Sequence, residues 1–358
     1  MSIYSANFSG ISADLHARIG KISAALGMYV DHESDVLAKD GTYVDLLYAK
    51  RSANAAQYSV ASRNELGTLS VTEEGDKANN ARIMELRSLI ITPWQFMKTF
   101  SVTQTMIEDS NFDEMKTGSQ DLVRAYYRTR NMLANLGLIG GLSGAANFDG
   151  KNISCKTPDG VSLFNVSHLY TEDNLVQSNR FSDVRGSGVA CDSAYIESAL
   201  SVLSSKGRML KDENGNPTGF FFDTIIVPAG NGKLCGNIRK ACGSPFVAGT
   251  DHNDINVKYG LWNVVELPYW TTTKDEFIVM SSEANEQLGG NLFVDRVPFG
   301  VEAQSYGNNA SIELTGRCRM GIGFGNYKHI LHFESLAYGQ STLTDGGTAG
   351  TDSTDVDI

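Results

Sequence analysis

Residues 159–170 read DGVSLFNVSHLY. An Asp-Gly turn opens the stretch, apolar residues follow, and one histidine, His168, closes it. Such a histidine is either a working acid–base group or a buried ring held by hydrogen bonds. No G-x-S-x-G nucleophile elbow occurs anywhere in the chain, and no Ser–His–Asp arrangement can be read from spacing alone. The stretch therefore takes its meaning from what surrounds it.

The 358 residues are 41% hydrophobic, which suits a folded chain with a substantial core. No apolar run approaches the roughly 18 residues of a membrane span, and residues 1–20 lack the basic start and apolar centre of a signal peptide. Five cysteines are few and odd in number, which points to reduced thiols and a cytoplasmic origin. The formal net charge is −11, opposite to the basic surface that phosphate-binding proteins present.

Ile11, Leu15, Ile19, Ile22 and Leu26 recur at helical spacing, with Gly27 as the expected stop. Residues 55–92 differ: β-prone pieces carry dense charge of both signs and little apolar content before Ile83. Such a segment cannot bury a core of its own, and it reads as a two-stranded excursion that leans on something else. Leu122, Tyr126, Leu133 and Leu136 define a strong helix over 119–136. Arg124, Arg128 and Arg130 lie off its stripe, and Gly137 or the pair Gly140–Gly141 end it.

Beyond residue 190 the pattern is α/β. Asp192 caps a helix with stripe Ile196, Ala199, Leu200 and Leu203. KDENGNPTG (211–219) is a turn, FFFDTIIVP (220–228) a buried strand closed by Pro228, and 233–241 a helix. YGLWNVVELPYW (259–270) and DEFIVMSS (275–282) read as strands, and 316–338 as a last extended pair. The tail from Thr342 holds four Asp and no Lys or Arg, and disorder is expected there.

Three motifs imitate sites. Gly230, Gly232 and Gly236 resemble a dinucleotide fingerprint, but the third glycine falls one residue late and Lys233 is not followed by Ser or Thr. Asp212, Asn214 and Asn216 start like a calcium loop. Pro217 then occupies the position that needs glycine, and Asp223 the one that needs glutamate. His329 and His332 would share a helix face, but here the alternation favours a strand, which points them to opposite sides. Cys235 and Cys242 lie about 10 Å apart along a helix, too far for a disulfide. No catalytic, cofactor or metal residues are assigned.

DGVSLFNVSHLY resembles the "dG…LF…H" segment of tailed-phage major capsid proteins, including those of the Mu-like group. The blocks that follow are similar in order. DSAYIESALSVLSSKG (192–207) matches the helix, ENGNPTGFFFDTIIVP (213–228) the turn and proline-ended strand, and NGKLCGNIRKACGSP (231–245) the short helix. NVVELPYW (263–270) and TKDEFIVMSS (273–282) match the next strands, and RCRMGIGFGNYKHILHF (317–333) the closing pair. Asn326-Tyr327-Lys328 stands where the family writes a "dwR"-like segment, a departure confined to that block.

The resemblance covers about residues 55–335 and implies an α+β fold of the Hong Kong 97 type. The segments it implies are an N-terminal arm (1–54), an E-loop hairpin (55–92) and a P-domain with a spine helix (93–185). An A-domain (186–318), strands returning to the P-domain (319–341) and an acidic tail (342–358) follow. It further implies a non-enzymatic shell protein: hexamers and pentamers closing into an icosahedral head around double-stranded DNA, in the virion, assembled in the host cytoplasm. Partners implied are further copies of itself, a scaffolding protein, a portal and a decoration protein, with packaged DNA bound without sequence preference and no membrane. On this reading Arg63, Glu65, Glu73, Glu74, Asp76, Lys77, Arg82, Glu85 and Arg87 form inter-subunit contacts of the E-loop, and His168 is a structural connector. The alternatives are an encapsulin-like compartment shell and a metal- or nucleotide-dependent soluble enzyme.

Overall fold

The computed structural model describes residues 13–39, 42–63, 71, 77, 85–109, 111–170, 175–245, 256, 258–306 and 311–338. Two helices lead, α1 (Ala13–Lys39) and α2 (Tyr43–Leu47), followed by strands β1 (Ala49–Ser52), β2 (Tyr58–Arg63), β3 (Glu85–Ile91) and β4 (Trp94–Val102). Next come α3 (Gln104–Glu108) and the long α4 (Phe112–Ile139). Short hairpins β5 (Ala145–Phe148)–β6 (Lys151–Ser154) and β7 (His168–Leu169)–β8 (Val176–Gln177) precede β9 (Arg180–Val184) and α5 (Ser193–Arg208). The rest is β10 (Thr224–Pro228), α6 (Gly232–Gly243), β11 (Asn263–Leu267), β12 (Asp275–Met280), α7 (Ser282–Leu288), β13 (Asn291–Tyr306), β14 (Ser311–Phe324) and β15 (Ile330–Leu336). The α+β class is as expected, and β2 and β3 form a two-stranded sheet of their own.

The chain divides into two compact units, one of residues 1–58, 91–134 and 293–322, the other of 59–90, 135–292 and 323–358. In the first, a four-stranded sheet runs β1-β13-β14-β4. Leu26 of α1, Met115 and Leu122 of α4, and Ile312 and Leu314 of β14 share one core with Val102 and Ile107. α1 does not stop at Gly27. Nothing lies within 4 Å of where a Cβ would stand there, and the buried stripe continues from Leu26 through Val30 to Glu33. A lone glycine costs only about 1 kcal/mol in a helix, which packing outweighs. α4 also outruns the expected 119–136 at both ends, passing through Gly137.

Two arginines placed off the α4 stripe are engaged in this unit. Arg124 Nε donates to Glu33 of α1 at 2.8 Å. Arg130 is 8% exposed; its Nη1 donates to both Asp295 carboxylate oxygens, at 3.0 and 3.2 Å, and its guanidinium lies 4.4 Å over the Phe293 ring. A helix packed on more than one side buries more than one stripe, and Arg130 is tolerated inside because its charge is paired.

In the second unit a mixed sheet runs β11-β10-β12-β15-β9, parallel at β10–β11 and β15–β9 and antiparallel between. α5 and α6 pack together with this sheet. Ile196, Leu200 and Leu203 from α5, Leu234 and Ile238 from α6, and Ile225, Val227, Phe277 and Phe333 from the sheet form one buried cluster. Asp192 caps α5 as expected, accepting from Tyr195 N at 3.0 Å. The last two long extended segments do not pair with each other: β14 joins β4, whereas β15 joins β12 and β9. Residues 293–322 belong to the first unit, and β15 joins the α/β sheet. The acidic tail lies outside the described residues.

Gly207 near the end of α5 gives a direct test. An added Cβ would stand 2.3 Å from the Phe222 ring, which is fully buried and cannot swing away. Gly207→Ala is expected to destabilise by about 1–3 kcal/mol, against the stabilisation alanine ordinarily gives a helix. A urea midpoint equal to or above wild type would refute that packing.

Candidate functional sites

The His168 stretch builds a buried polar centre. Gly160, at φ +86°, turns the chain so that Asp159 faces back along it. Asp159 Oδ1 accepts from Thr157 Oγ1 and from Val161 N, and Oδ2 lies 2.7 Å from His168 Nδ1. His168 Nε2 lies 3.1 Å from the Leu163 carbonyl oxygen, which also accepts from Asn179 Nδ2 at 2.8 Å. Tyr327 stacks on the imidazole at 3.9 Å and 8°, and its hydroxyl accepts from Gln177 Nε2 at 2.7 Å. Burial by itself would raise the Asp159 carboxyl. The His168 hydrogen bond and charge, with Thr157 and the Val161 amide, hold it below its ordinary value instead. The ring is 0% exposed and both nitrogens face acceptors within the chain, so it has no route to a substrate proton.

The other two histidines are equally buried but separate. His329 precedes β15 instead of lying in a strand with Leu331 and Phe333; its Nε2 donates to Asn291 Oδ1 at 2.8 Å. Burial depresses its pKa to about 3, so the ring is neutral. His332 Nε2 lies 3.3 Å from Glu276 Oε2, an ion-pair distance outside hydrogen-bond geometry. Among the described residues no three His, Cys, Asp or Glu side chains converge as a metal site would require.

The imitating motifs resolve as turns and caps. A Cβ at Gly230 would stand 2.5 Å from the Thr271 backbone, so glycine there lets two chain segments touch. Asn231 caps α6, accepting from Leu234 N at 3.0 Å, and its Nδ2 donates to the Lys274 carbonyl and Asp275 Oδ1, both at 3.0 Å. The loop's polar groups are spent on the chain itself. Asp212 Oδ1 likewise accepts from the amides of Asn214 and Asn216 at 2.9 and 2.7 Å, closing a turn around Gly215. Cys235 and Cys242 are free and buried on α6, their thiols pushed up to about 11 by burial first.

Of the expected E-loop contacts, Arg63 ends β2, Glu85 begins β3, and Lys77 is exposed. Arg87 on β3 is half-buried and lines a pocket of its own chain with Asp159, Glu213, Tyr327 and Lys328. Glu65, Glu73, Glu74, Asp76 and Arg82 fall outside the described residues. Two ion pairs went unread in the sequence: Arg130–Asp295, and Lys328–Glu213 at 2.5 Å with the Lys328 side chain 2% exposed. Their partners lie 165 and 115 residues apart, so no local pattern signals them. No helix among the described residues is long and apolar enough to cross a membrane.

No protein-family model matches the chain, and no curated protein matches it. Among solved structures it is similar to the mature capsid of bacteriophage PhiM1 (10% identity, 82% of this chain and 87% of that chain, TM-score 0.47). It is also similar to the capsid of Myoviridae phage XM1 (11%, 82% and 92%, TM-score 0.47) and to the procapsid of bacteriophage JBD30 (13%, 90% and 76%, TM-score 0.45).

Proposed function

We propose that this chain is the major capsid protein of a tailed phage or prophage, a structural protein whose copies form the hexamers and pentamers of an icosahedral head. The observation that carries the proposal is a two-stranded excursion. Among the described residues β2 and β3 pair only with each other, and the sequence of 64–84 between them is charged with both signs. Such a pair gains its stability by lying on something else, and a neighbouring copy supplies that surface. The block order from Asp159 to Phe333 supports the same conclusion. So does the long α4 in a helix-and-sheet unit, distinct from the α/β unit. The buried, fully engaged His168 acts as a structural connector and not as a base.

On this proposal Arg63, Glu65, Glu73, Glu74, Asp76, Lys77, Arg82, Glu85 and Arg87 set register between subunits. Each exposed pair contributes about 0–1 kcal/mol, multiplied by the repeats of a closed shell. The acidic balance suits a wall that lets DNA pack and leave. A scaffolding protein, a portal and a decoration protein are the partners, and the host cytoplasm is the place of assembly.

Negative-stain electron microscopy beside size-exclusion chromatography tests this. Rings, tubes or shells with five- or six-fold units are expected from the purified chain, alone or with its scaffolding protein. Glu73→Lys combined with Glu74→Lys should reduce assembly at least several-fold while the circular dichroism spectrum stays unchanged. A monomer under every condition would overturn the proposal, and particles filled with enzyme cargo instead of DNA would select the encapsulin-like alternative.

A further inference from the structure

α1 presents two faces. The inward face carries Ile22, Leu26, Val30 and Glu33, and the last three are buried. Gln120 and Arg124 of α4 donate to Glu33 at 3.2 and 2.8 Å, and the Tyr127 hydroxyl donates to the Ser34 carbonyl at 3.2 Å. The opposite face carries Lys21, Ala24, Ala25, Met28, His32 and Asp35, all exposed. Steps of three and four residues align these six as one stripe along the helix. Met28 at its middle is 66% exposed, the kind of adaptable side chain that interfaces favour. Among the described residues neither Lys21 nor Asp35, at the two ends of the stripe, has an ion-pair partner.

That stripe complements itself. Met28 lies midway between Lys21 and Asp35, two helical turns from each, about 10 Å at roughly 1.5 Å per residue. A second α1 can run antiparallel to the first about a two-fold axis at Met28. Lys21 of each copy then meets Asp35 of the other. Ala24 and Ala25 lie opposite His32 and Asp31, small side chains against larger ones, which lets the helices approach. A parallel pair would instead set Lys21 beside Lys21 and Asp35 beside Asp35, and like charges reject it.

We propose that the outer stripe of α1 is a two-fold contact between copies of this chain, antiparallel, with Met28 on the axis and a Lys21–Asp35 pair at each end. Its electrostatic part weakens with salt. Neighbours within a five- or six-membered ring meet through two different surfaces, whereas this contact uses one surface twice, so it joins copies of separate rings. The pairing does not rest on the capsid proposal, since it needs only a second copy.

Cysteine pairing in the full chain tests it, with oxidised glutathione as the oxidant and a non-reducing gel as the readout. Met28→Cys should form a covalent dimer, because the axis brings its two thiols together. Ala38→Cys is also exposed on α1, but it stands ten residues beyond the axis, which sets its two copies about 30 Å apart at roughly 1.5 Å per residue. Its dimer yield should be at least about 5-fold lower, and the wild type, whose five cysteines are buried, should give none. In the Met28→Cys background, Lys21→Asp and Asp35→Lys should each cut the yield several-fold, and the two together should restore it, with the circular dichroism spectrum unchanged. Equal yields at 28 and 38 overturn the proposal, as does a double charge swap that fails to restore pairing. No dimer at 28 while rings or shells still form overturns the pairing and leaves the capsid proposal standing.

Discussion

His168→Ala is expected to lower the unfolding free energy of the α/β unit by about 3–5 kcal/mol. The Asp159 side chain is only 4% exposed, and His168 Nδ1 is its hydrogen-bond partner at 2.7 Å. Removing the ring leaves a buried carboxylate without that partner, and the Leu163 carbonyl oxygen without one of its neighbours. It also opens a cavity against the Tyr327 face. Changing both partners should cost less than the sum of the single changes, because Asp159→Ala/His168→Ala leaves no unpaired charge behind. Urea unfolding followed by tyrosine fluorescence reads all three variants. An unchanged midpoint for His168→Ala would remove the structural role assigned to this residue. Rescue by glutamine in place of alanine would trace the role to hydrogen bonding and not to charge.

Acid should destabilise the same unit well before ordinary carboxylates protonate. His329 is fully buried, and its folded pKa is depressed to about 3 from an ordinary 6.5. Between those values the unfolded chain binds a proton that the folded chain refuses, so stability is present above about pH 6.5 and falls as pH drops toward 3. At about 1.4 kcal/mol per pH unit the loss from this one ring approaches about 3 kcal/mol at pH 4. Asp159 and Glu276 act in the same direction at lower pH. Both carboxyls are held below their ordinary values although burial alone would raise them, because a histidine beside each favours the charged form. Their contribution is present above the unfolded carboxylate pKa and is lost as pH falls through the folded one. His329→Gln keeps a donor toward Asn291 but no titrating ring. It should flatten the slope between pH 6.5 and 4. A wild-type stability that is level from pH 7 to 4.5 would contradict the buried neutral ring.

Much of the fold was legible because it is written in local periodicity. The α5 stripe and its Asp192 cap, the buried strand ending at Pro228, and a two-stranded pairing of β2 with β3 were all expected and are all present. The Gly230 and Asp212 loops were correctly taken as a strand–turn–helix and a turn, since their departures from the binding motifs are departures of residue type. Boundaries fared worse. Gly27 and Gly137 look like stops, yet both helices run through them, since the cost of one glycine is small beside the burial of a continuing stripe.

Tertiary structure decided what depends on distant partners. Residues 291–306, NLFVDRVPFGVEAQSY, form the long β13, whose Val, Phe and Gly content carries no clean alternation, and it went unread. Arg130 looks like a surface residue until Asp295 arrives from β13 beneath it. Lys328 looks like a mere substitution within a motif until Glu213 meets it. His168 shows the division most clearly. Its sequence neighbours DGVSLFNV already hold the turn and Asp159 that orient the ring, nine residues away. Only folding brings Tyr327 onto its face and closes it from water. Periodicity and turn chemistry act over a few residues and so are written in the chain. Charge pairing and exclusion of water are set by separate segments meeting in a low-dielectric interior, and they exist only once those segments have met.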